Sequence, residues 1–484
     1  MSASNLPTRV LFLAAEAAPF VKVGGLGDVA GSLPPALRRL GADVRLVLPL
    51  HHLIERQRHN LQYLFDLHIP SRLGDVPAQV YAATLDGLPV YFISSALFPA
   101  SNSIYGLHAA DAGPRYIHFS LAALELARRL DFRPGVVHAQ DWHTATALYA
   151  LALMRPYDAF FARTASLLTV HNLPYQGAGA EDALHLFGLP PAMDSALPWW
   201  AKHRPLALGL HAADHINTVS PSYAAEMLTP EFGADLDGYL RAHKRHAISG
   251  ILNGLDVDSW NPQTDPALAA NYTAADPTPK KENKTHLQRA VGLPVDARLP
   301  VLGLVSRMDH QKGIDIALEA LRLIRGQAWQ AVILGNGHPQ IEAAAWRLGQ
   351  DFRWRMSVHI DFNTTLGRQI YAGADIFLIP SRYEPCGLTQ MISMRYGTVP
   401  LARAVGGLRD TITDESQLGA TGFLFGEASP WAMAACLARA LDAYADQPRW
   451  RLLQQQGMAQ DFSWEQPARQ YLSLYQRLIS ARMG

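Results

Sequence analysis

The most informative feature of the sequence is the segment Lys22-Val23-Gly24-Gly25-Leu26-Gly27-Asp28. It follows the apolar run 10–15 and opens a helical pattern, so it predicts the turn between a β-strand and an α-helix. Glycine lets the backbone approach a ligand closely, and the N–H groups at a helix start favour an anion. With the charge of Lys22 beside them, these groups predict a diphosphate site. A tight turn without a ligand is the alternative for this pattern taken alone.

The loop differs from the two commonest phosphate loops. It contains no Gly-x-x-x-x-Gly-Lys-Ser/Thr and no complete Gly-x-Gly-x-x-Gly followed by an acidic strand end. Another glycine-rich turn, Gly335-Asn336-Gly337, also lacks the third glycine of a dinucleotide fingerprint. The sequence therefore disfavours a nicotinamide-dependent dehydrogenase, a function that spectral titration with NADH would test.

Through most of the sequence, strand-like runs of residues alternate with helix-like runs. This alternation predicts an α/β fold of βαβ units, with mainly parallel sheets covered on both faces. The predicted strands span residues 10–15, 44–48, 90–94, 136–139, 166–170, 215–219, 301–305, 331–334, 356–360 and 376–379. The predicted helices include residues 116–130, 144–154, 314–324, 340–348, 366–372 and 388–396.

The alternation weakens between residues 253 and 300, where several prolines lie among polar residues. A chain of 484 residues is also long for one core. We therefore expect two doubly wound domains, 1–252 and 253–462, facing each other across a cleft. Ligands of such sheets bind at the carboxyl ends of the strands.

Composition excludes several classes of partner. Lys and Arg number 42, equal to the 42 Asp and Glu, which argues against nucleic acid or an anionic membrane as the main partner. Cys386 and Cys436 form no Cys-x-x-Cys pair, so neither a disulfide framework nor a zinc knuckle is supported. Residues 1–8 are polar and too short for a signal peptide, and no run of about 18 apolar residues occurs. We expect a cytoplasmic protein.

Cations follow the strand predicted at 301–305. Arg307 and Lys312 lie in one loop, where an Arg fork and a Lys point charge can converge on one diphosphate. Two solvated surface cations are the alternative. Together with Lys22, they give three strand-end cations, which favours a pyrophosphate ligand.

Another strand end precedes the predicted helix 388–396. Pro385 and Gly387 shape a turn, and the N–H groups of Leu388 and Thr389 suit a phosphate. Glu384 is then either a partner of the helix start or an acceptor for sugar hydroxyls.

Polar side chains follow two strands in the first half. Gln140-Asp141-Trp142-His143 follows strand 136–139, and His171-Asn172 follows strand 166–170. These side chains offer donors and acceptors for a polyhydroxylated ligand, with Trp142 or Tyr175 as a stacking face. A structural role is the alternative for each single histidine.

Asp256-Val257-Asp258 matches the Asp-x-Asp with which some sugar transferases hold a metal-bound diphosphate. It lies at the domain junction, and cations are already abundant for phosphate. The sequence therefore predicts no metal site.

The chain resembles bacterial glycogen synthases and plant starch synthases, retaining glucosyltransferases with two Rossmann-like domains of the GT-B type. The match extends nearly end to end. Its landmarks are Lys22-Val-Gly-Gly-Leu-Gly-Asp28, His138-Ala-Gln-Asp-Trp-His143, His171-Asn-Leu-Pro-Tyr-Gln-Gly177, Val219-Ser-Pro-Ser-Tyr223, Asn253-Gly-Leu-Asp256, Ser306-Arg-Met-Asp-His-Gln-Lys-Gly313, Ser381-Arg-Tyr-Glu-Pro-Cys-Gly-Leu388, Gly406-Gly-Leu408 and Phe462-Ser-Trp464.

The resemblance implies transfer of glucose from ADP-glucose to glycogen or another α-1,4-glucan, with no cofactor. It implies an acceptor-side first domain, a nucleotide-sugar-binding second domain and a helix at 463–484 that packs back on the first. The implied catalytic residues are Glu384, His171, Lys312 and Arg307. The implied substrate-binding residues are Lys22, Gly24, Gly25, Asp28, Asp141, Asn172, Asn253, Cys386, Gly387, Leu388 and Thr389. Base choice does not follow from charge or spacing.

No pair of carboxylates is assignable as nucleophile plus acid, the arrangement expected of glycosidases. A front-face displacement is therefore expected, and trapping a glucosyl-Glu384 intermediate would favour double displacement instead.

Two rival functions compete with glucosyl transfer. A phosphorylase would need a buried lysine for pyridoxal phosphate, and a non-catalytic glucan-binding protein would be distinguished by an incorporation assay.

Overall fold

The computed structural model describes residues 7–98, 103–105 and 109–483, with backbone only at 109–110. The chain divides into two compact units. Unit 1 comprises Met1–Gly254 and Ser463–Gly484, and unit 2 comprises Leu255–Phe462. Among the described residues, no helix combines the length and apolar character needed to cross a membrane.

Unit 1 is built around a nine-stranded sheet. Its strands are β1 (Arg9–Leu13), β2 (Asp43–Pro49), β3 (Gln62–Ile69), β4 (Val76–Leu85), β5 (Leu88–Ser94), β6 (Val136–Gln140), β7 (Ala165–Val170), β8 (His215–Thr218) and β9 (Ile248–Gly250). Its α-helices are α1 (Gly25–Arg39), α2 (Ala109–Arg129), α3 (Asp141–Met154), α4 (Glu181–Leu186), α5 (Pro205–Ala212), α6 (Pro221–Glu226), α7 (Asp237–Tyr239) and, at the end of the chain, α16 (Glu465–Met483). Short 3-10 turns at Trp199–His203 and Arg245–Ala247 and a π-helical turn at Leu240–Lys244 complete it.

The strand order of this sheet is β3-β4-β5-β2-β1-β6-β7-β8-β9. From β5 to β9 every neighbouring pair is parallel, as predicted. The sequence did not reveal β3 and β4, which extend the sheet as an antiparallel edge. The outer strand β3 buries few side chains, so the apolar run that marks a central strand is absent there.

Unit 2 is built around a six-stranded, fully parallel sheet. Its strands are β10 (Val301–Val305), β11 (Gln330–Gly335), β12 (Met356–Ile360), β13 (Ile376–Ile379), β14 (Val399–Arg403) and β15 (Phe423–Phe425). Its helices are α8 (Lys280–Ala290), α9 (Ile314–Leu323), α10 (Pro339–Asp351), α11 (Thr364–Gly373), α12 (Thr389–Arg395), α13 (Gly406–Thr411), α14 (Pro430–Ala445) and α15 (Gln447–Met458). The order β12-β11-β10-β13-β14-β15 is that of a Rossmann sheet.

Strand β1 shows why the central strands read as continuous apolar runs. Successive side chains of a strand point to opposite faces. Leu11 and Leu13 belong to one apolar core of unit 1, whereas Val10 and Phe12 belong to the other. Both faces of the sheet are therefore covered. The predicted α/β class with two parallel Rossmann-like sheets is confirmed.

Helix α16 covers part of the second of these cores. Tyr471 and Tyr475 are fully buried there. The Tyr475 hydroxyl lies 2.8 Å from Nδ1 of His138, and Nδ2 of Asn217 donates to the Tyr471 hydroxyl over 2.8 Å. The C-terminal segment is thus joined to β6 and β8 of unit 1 by polar bonds as well as by packing.

Candidate functional site

Four of the predicted functional residues lie at corresponding places in the two sheets. In both sheets the strand order reverses beside the first strand, between β1 and β6 in unit 1 and between β10 and β13 in unit 2. Ligands of open α/β sheets bind beyond the carboxyl ends of the strands at this switch point. Lys22, Lys312 and Glu384 lie in the loops that follow β1, β10 and β13, and Asp141 directly follows β6.

The loop after β1 leads into α1, which begins at Gly25 as the glycine pattern predicts. Nζ of Lys22 lies 2.7 Å from Oδ1 of Asp28, one turn into the helix. Both side chains are partly exposed. Lys22 therefore carries a nearby counter-charge, and a phosphate that binds it has to compete with that carboxylate.

Glu16 is a functional candidate that the sequence did not reveal. Its carboxylate is fully buried and accepts hydrogen bonds from the N–H groups of Val23 and Gly24, the latter over 3.1 Å. The Tyr105 hydroxyl donates to it over 2.6 Å. Two N–H groups of the glycine loop thus already bind an anion, and Gly25 supplies the next N–H at the helix start.

Asp141 opens α3 directly after β6 and has a left-handed backbone, with φ at 53°. This conformation is uncommon for a residue with a side chain. Its Oδ1 accepts hydrogen bonds from the N–H groups of His171 over 2.7 Å and Asn172 over 3.3 Å. The structure therefore brings together three residues that the sequence assigned to one ligand. Burial raises the pKa of Asp141 to about 7, although the two N–H groups oppose the shift.

His171 is neutral because burial lowers its pKa to about 3. Its Nε2 lies 2.7 Å from Oε1 of Gln140. Since the Gln140 oxygen only accepts, Nε2 of His171 donates, which leaves Nδ1 as the unprotonated nitrogen.

Several buried polar atoms of unit 1 have no partner within the described part of the chain. They include Nε2 of Gln140, Oδ1 of Asn172 and Oδ1 of Asn253. Buried polar groups are normally hydrogen-bonded, so orphaned donors and acceptors indicate a ligand or water. Such a mixed set suits the hydroxyl groups of a sugar.

In unit 2, Glu384 and Lys312 form a close ion pair. Nζ of Lys312 lies 2.6 Å from Oε2 of Glu384, and Oγ of Ser381 donates to the same oxygen over 2.8 Å. The Glu384 side chain is only 8% exposed. This carboxylate is therefore fixed and desolvated, while its second oxygen remains for another partner.

Arg307 lies in the same loop as Lys312 but pairs differently. Its guanidinium lies 2.8 Å from Oδ2 of Asp309, a partner that the sequence analysis did not identify. The Arg307 side chain is 58% exposed, so it is open to a ligand.

The turn before α12 has the conformation that the sequence predicts. Gly387 has a φ of 73°, which favours glycine. Nε2 of Gln390 donates to the carbonyl groups of Cys386 and Gly387, which fixes the turn. The N–H groups at the start of α12, beside Leu388 and Thr389, precede the first intrahelical bond and can receive an anion.

The Asp-x-Asp sequence forms a turn. Oδ1 of Asp256 accepts from the N–H groups of Asp258 and Ser259, over 3.2 and 3.0 Å. In the described ranges no group of three or more His, Cys, Asp or Glu side chains has an arrangement suited to a metal ion.

Known proteins of one kind are similar to this chain over nearly its whole length. The family described as "Starch synthase catalytic domain" matches residues 9–242, and "Glycosyl transferases group 1" matches residues 299–443. The glycogen synthase of Geotalea daltonii is 39% identical over 98% of this chain and 100% of its own. A glycogen synthase of Streptococcus pneumoniae is 40% identical over 98% and 100%. The catalytic domain of starch synthase IV from Arabidopsis thaliana, solved with ADP and acarbose, has a TM-score of 0.89 and 34% identity, over 98% of this chain and 100% of that one.

Proposed function

This chain belongs to the family of glycogen synthases and starch synthases, and from that premise we propose that it transfers glucose from ADP-glucose to the non-reducing 4-hydroxyl of an α-1,4-glucan, with retention of configuration. It is a glycosyltransferase. The observation that carries the proposal is the Glu384–Lys312 ion pair, because it places a buried carboxylate that can accept from sugar hydroxyls next to a cation that can bind a phosphate.

The donor's diphosphate is assigned to cations and helix starts. In unit 2, Arg307 and Lys312 bind it, with the N–H groups of Leu388 and Thr389 and the Cys386-Gly387 turn that presents them. In unit 1, Lys22, Gly24 and Gly25 form the second set, and Asp28 is assigned to the nucleotide or acceptor side. In support, each cation lies at a strand end, and Lys22 and Arg307 are partly exposed and paired with carboxylates, Asp28 and Asp309, that an incoming phosphate can replace.

The glucose is assigned to Glu384, Asp141, His171, Asn172 and Asn253. In support, neutral His171 and the orphaned oxygens of Asn172 and Asn253 offer neutral polar contacts, as sugar hydroxyls require. The Arabidopsis starch synthase IV domain was solved with ADP and acarbose bound together, a ligand set of the same two classes.

Breaking the anomeric bond places negative charge on the departing ADP and positive character on the sugar ring. Fixed cations and helix-start N–H groups bind the leaving group more strongly as this charge develops, which lowers the barrier. Glu384 and the residues around His171 position the glucose and favour its oxocarbenium-like state. We infer a front-face displacement, in which the leaving phosphate takes the proton of the attacking 4-hydroxyl; a glucosyl-Glu384 adduct would contradict it.

The direct test supplies radiolabelled ADP-glucose or UDP-glucose to the purified protein with glycogen, with and without a chelator. We expect label in the polymer from ADP-glucose at a rate that the chelator leaves unchanged. Absence of transfer from both donors would overturn the proposal, and transfer from UDP-glucose alone would replace ADP-glucose as the donor. We further infer a cytoplasmic location, supported by two buried cysteines that form no disulfide.

A further inference from the structure

A buried carboxylate lies beneath the glycine loop of unit 1. Glu16 follows β1 within an otherwise apolar segment and is fully shielded from solvent. Moving an ionised carboxylate out of water is very unfavourable unless hydrogen bonds compensate it. The compensation here comes from the N–H groups of Val23 and Gly24 and from the Tyr105 hydroxyl.

The glycine loop is shaped around this carboxylate. A Cβ atom added to Gly27 would lie 3.2 Å from Oε2 of Glu16 and 3.0 Å from Cγ of Lys22. The stem of Lys22 and the carboxylate therefore both pack against the first turn of α1. Gly24, the residue before α1, has no side chain with which to cap the helix. Glu16 thus binds, from upstream in the chain, the N–H groups of the two residues that directly precede α1.

Building on the proposed function, we propose that Glu16 is a positioning residue for glucosyl transfer. It fixes the backbone of residues 22–28, and with it Lys22 and the N–H of Gly25, in the conformation that binds the donor's phosphates. Preorganised donors stabilise a transition state because they need no rearrangement as charge develops. Glu16 itself contacts no substrate.

The test compares Glu16→Gln with wild type. Glutamine keeps the size of the side chain but presents one acceptor oxygen and an NH₂ group to a cluster of donors. We expect faster hydrogen exchange in a peptide covering residues 22–28. We also expect at least a tenfold lower kcat/KM for ADP-glucose, at least tenfold weaker ADP binding by calorimetry, and a glucan KM within twofold of wild type. Glu226→Gln, a buried glutamate of α6, is the control for charge loss and should match wild type.

A folded E16Q whose kcat/KM and ADP affinity match wild type would overturn the inference, whether or not its loop exchanges faster. If E16Q does not fold, Tyr105→Phe is the test variant, because it removes one hydrogen-bond donor to Glu16 and keeps the carboxylate. We expect kcat/KM and ADP affinity to fall in Y105F as well, but by less. Unchanged kcat/KM and ADP affinity in Y105F would overturn the inference. If the wild-type protein transfers no glucose, only the proposed function is disproved. The role of Glu16 can still be tested, because ADP affinity and hydrogen exchange of residues 22–28 can be compared between wild type and E16Q.

Discussion

Lys312 and Glu384 lie 72 positions apart in sequence, yet Nζ and Oε2 lie 2.6 Å apart at neighbouring strand ends of unit 2. This pair joins the predicted phosphate-binding loop after β10 to the predicted sugar-binding turn after β13. Glu384 is therefore held in one place with its charge balanced before any ligand arrives.

Glu384→Gln tests the role of this carboxylate. The amide keeps the shape but loses the charge that stabilises a positive sugar ring, so kcat should fall about a hundredfold or more. Transfer from ADP-glucose to glycogen measures it, with Glu282→Gln on the exposed surface of α8 as the control. A folded E384Q enzyme with kcat within threefold of wild type would rule the role out.

Variants of Arg307 test whether the bidentate geometry of its guanidinium matters for ADP binding in addition to its positive charge. Arg307→Lys keeps the positive charge but loses bidentate geometry, so ADP affinity should fall, and Arg307→Ala should weaken it further. Titration calorimetry with ADP gives both values, and Arg325→Ala on the surface of unit 2 should leave the affinity unchanged. Equal affinity in all four proteins would show that Arg307 binds no phosphate.

Gly406 packs closely against the backbone of Glu384. Its φ is 46°, and a Cβ atom there would lie 2.0 Å from the carbonyl oxygen of Glu384. Gly406→Ala should therefore displace Glu384 and lower kcat at least tenfold. Gly419→Ala is a matched control, because its φ is 77° but no atom lies within 4 Å of the added carbon. G419A should lose only about 1–2 kcal/mol of stability and keep full activity. Equal activity of both variants would contradict the packing explanation.

Asp141 makes stability depend on pH. Its pKa rises from an ordinary 3.8 to about 7 on folding, because burial disfavours the anion. The folded state then binds more protons than the unfolded state between these values, so Asp141 makes the protein less stable as pH rises from about 4 to about 7. Asp141→Asn removes this contribution. Relative to wild type, the variant should gain more than about 1 kcal/mol of unfolding free energy between pH 4.5 and pH 8. Parallel stability curves for the two proteins would refute it.

Tyr475 tests the attachment of α16. Tyr475→Phe removes the hydroxyl that contacts Nδ1 of buried His138, and an unsatisfied buried polar atom costs about 1–3 kcal/mol. Calorimetry should show a lower melting temperature for unit 1. Tyr157→Phe, whose ring is exposed, should melt like wild type. A Y475F protein with unaltered melting would mean that this bond adds nothing to stability.

The sequence predicted what depends on local pattern. Apolar runs marked the central strands, and glycines marked the loop before α1 and the turn at Gly387, because these features follow from neighbouring residues. It missed Glu16, since a lone glutamate in an apolar segment gives no sign of the loop that it contacts. It also missed Asp309 as the partner of Arg307, because a loop carboxylate is ordinarily interpreted as solvated.

The sequence also did not predict the backbone conformation of one candidate site residue, Asp141. Asp141 was predicted as a ligand group, but nothing in Gln140-Asp141-Trp142 signals its left-handed backbone. Its carboxylate binds the N–H groups of His171 and Asn172, which come from the neighbouring strand end. Long-range partners of this kind decide the geometry of a site while leaving no local trace in the sequence.

Unit 1 is assembled from two pieces of chain, with all of unit 2 between them. On the ribosome, α16 with Tyr471 and Tyr475 is therefore synthesised after all other helices and strands of unit 1. Until they emerge, His138 and Asn217 lack their tyrosine partners and part of one face of the first sheet stays uncovered. A nascent chain that stops before Ser463 therefore lacks α16 and leaves this part of the unit 1 core exposed.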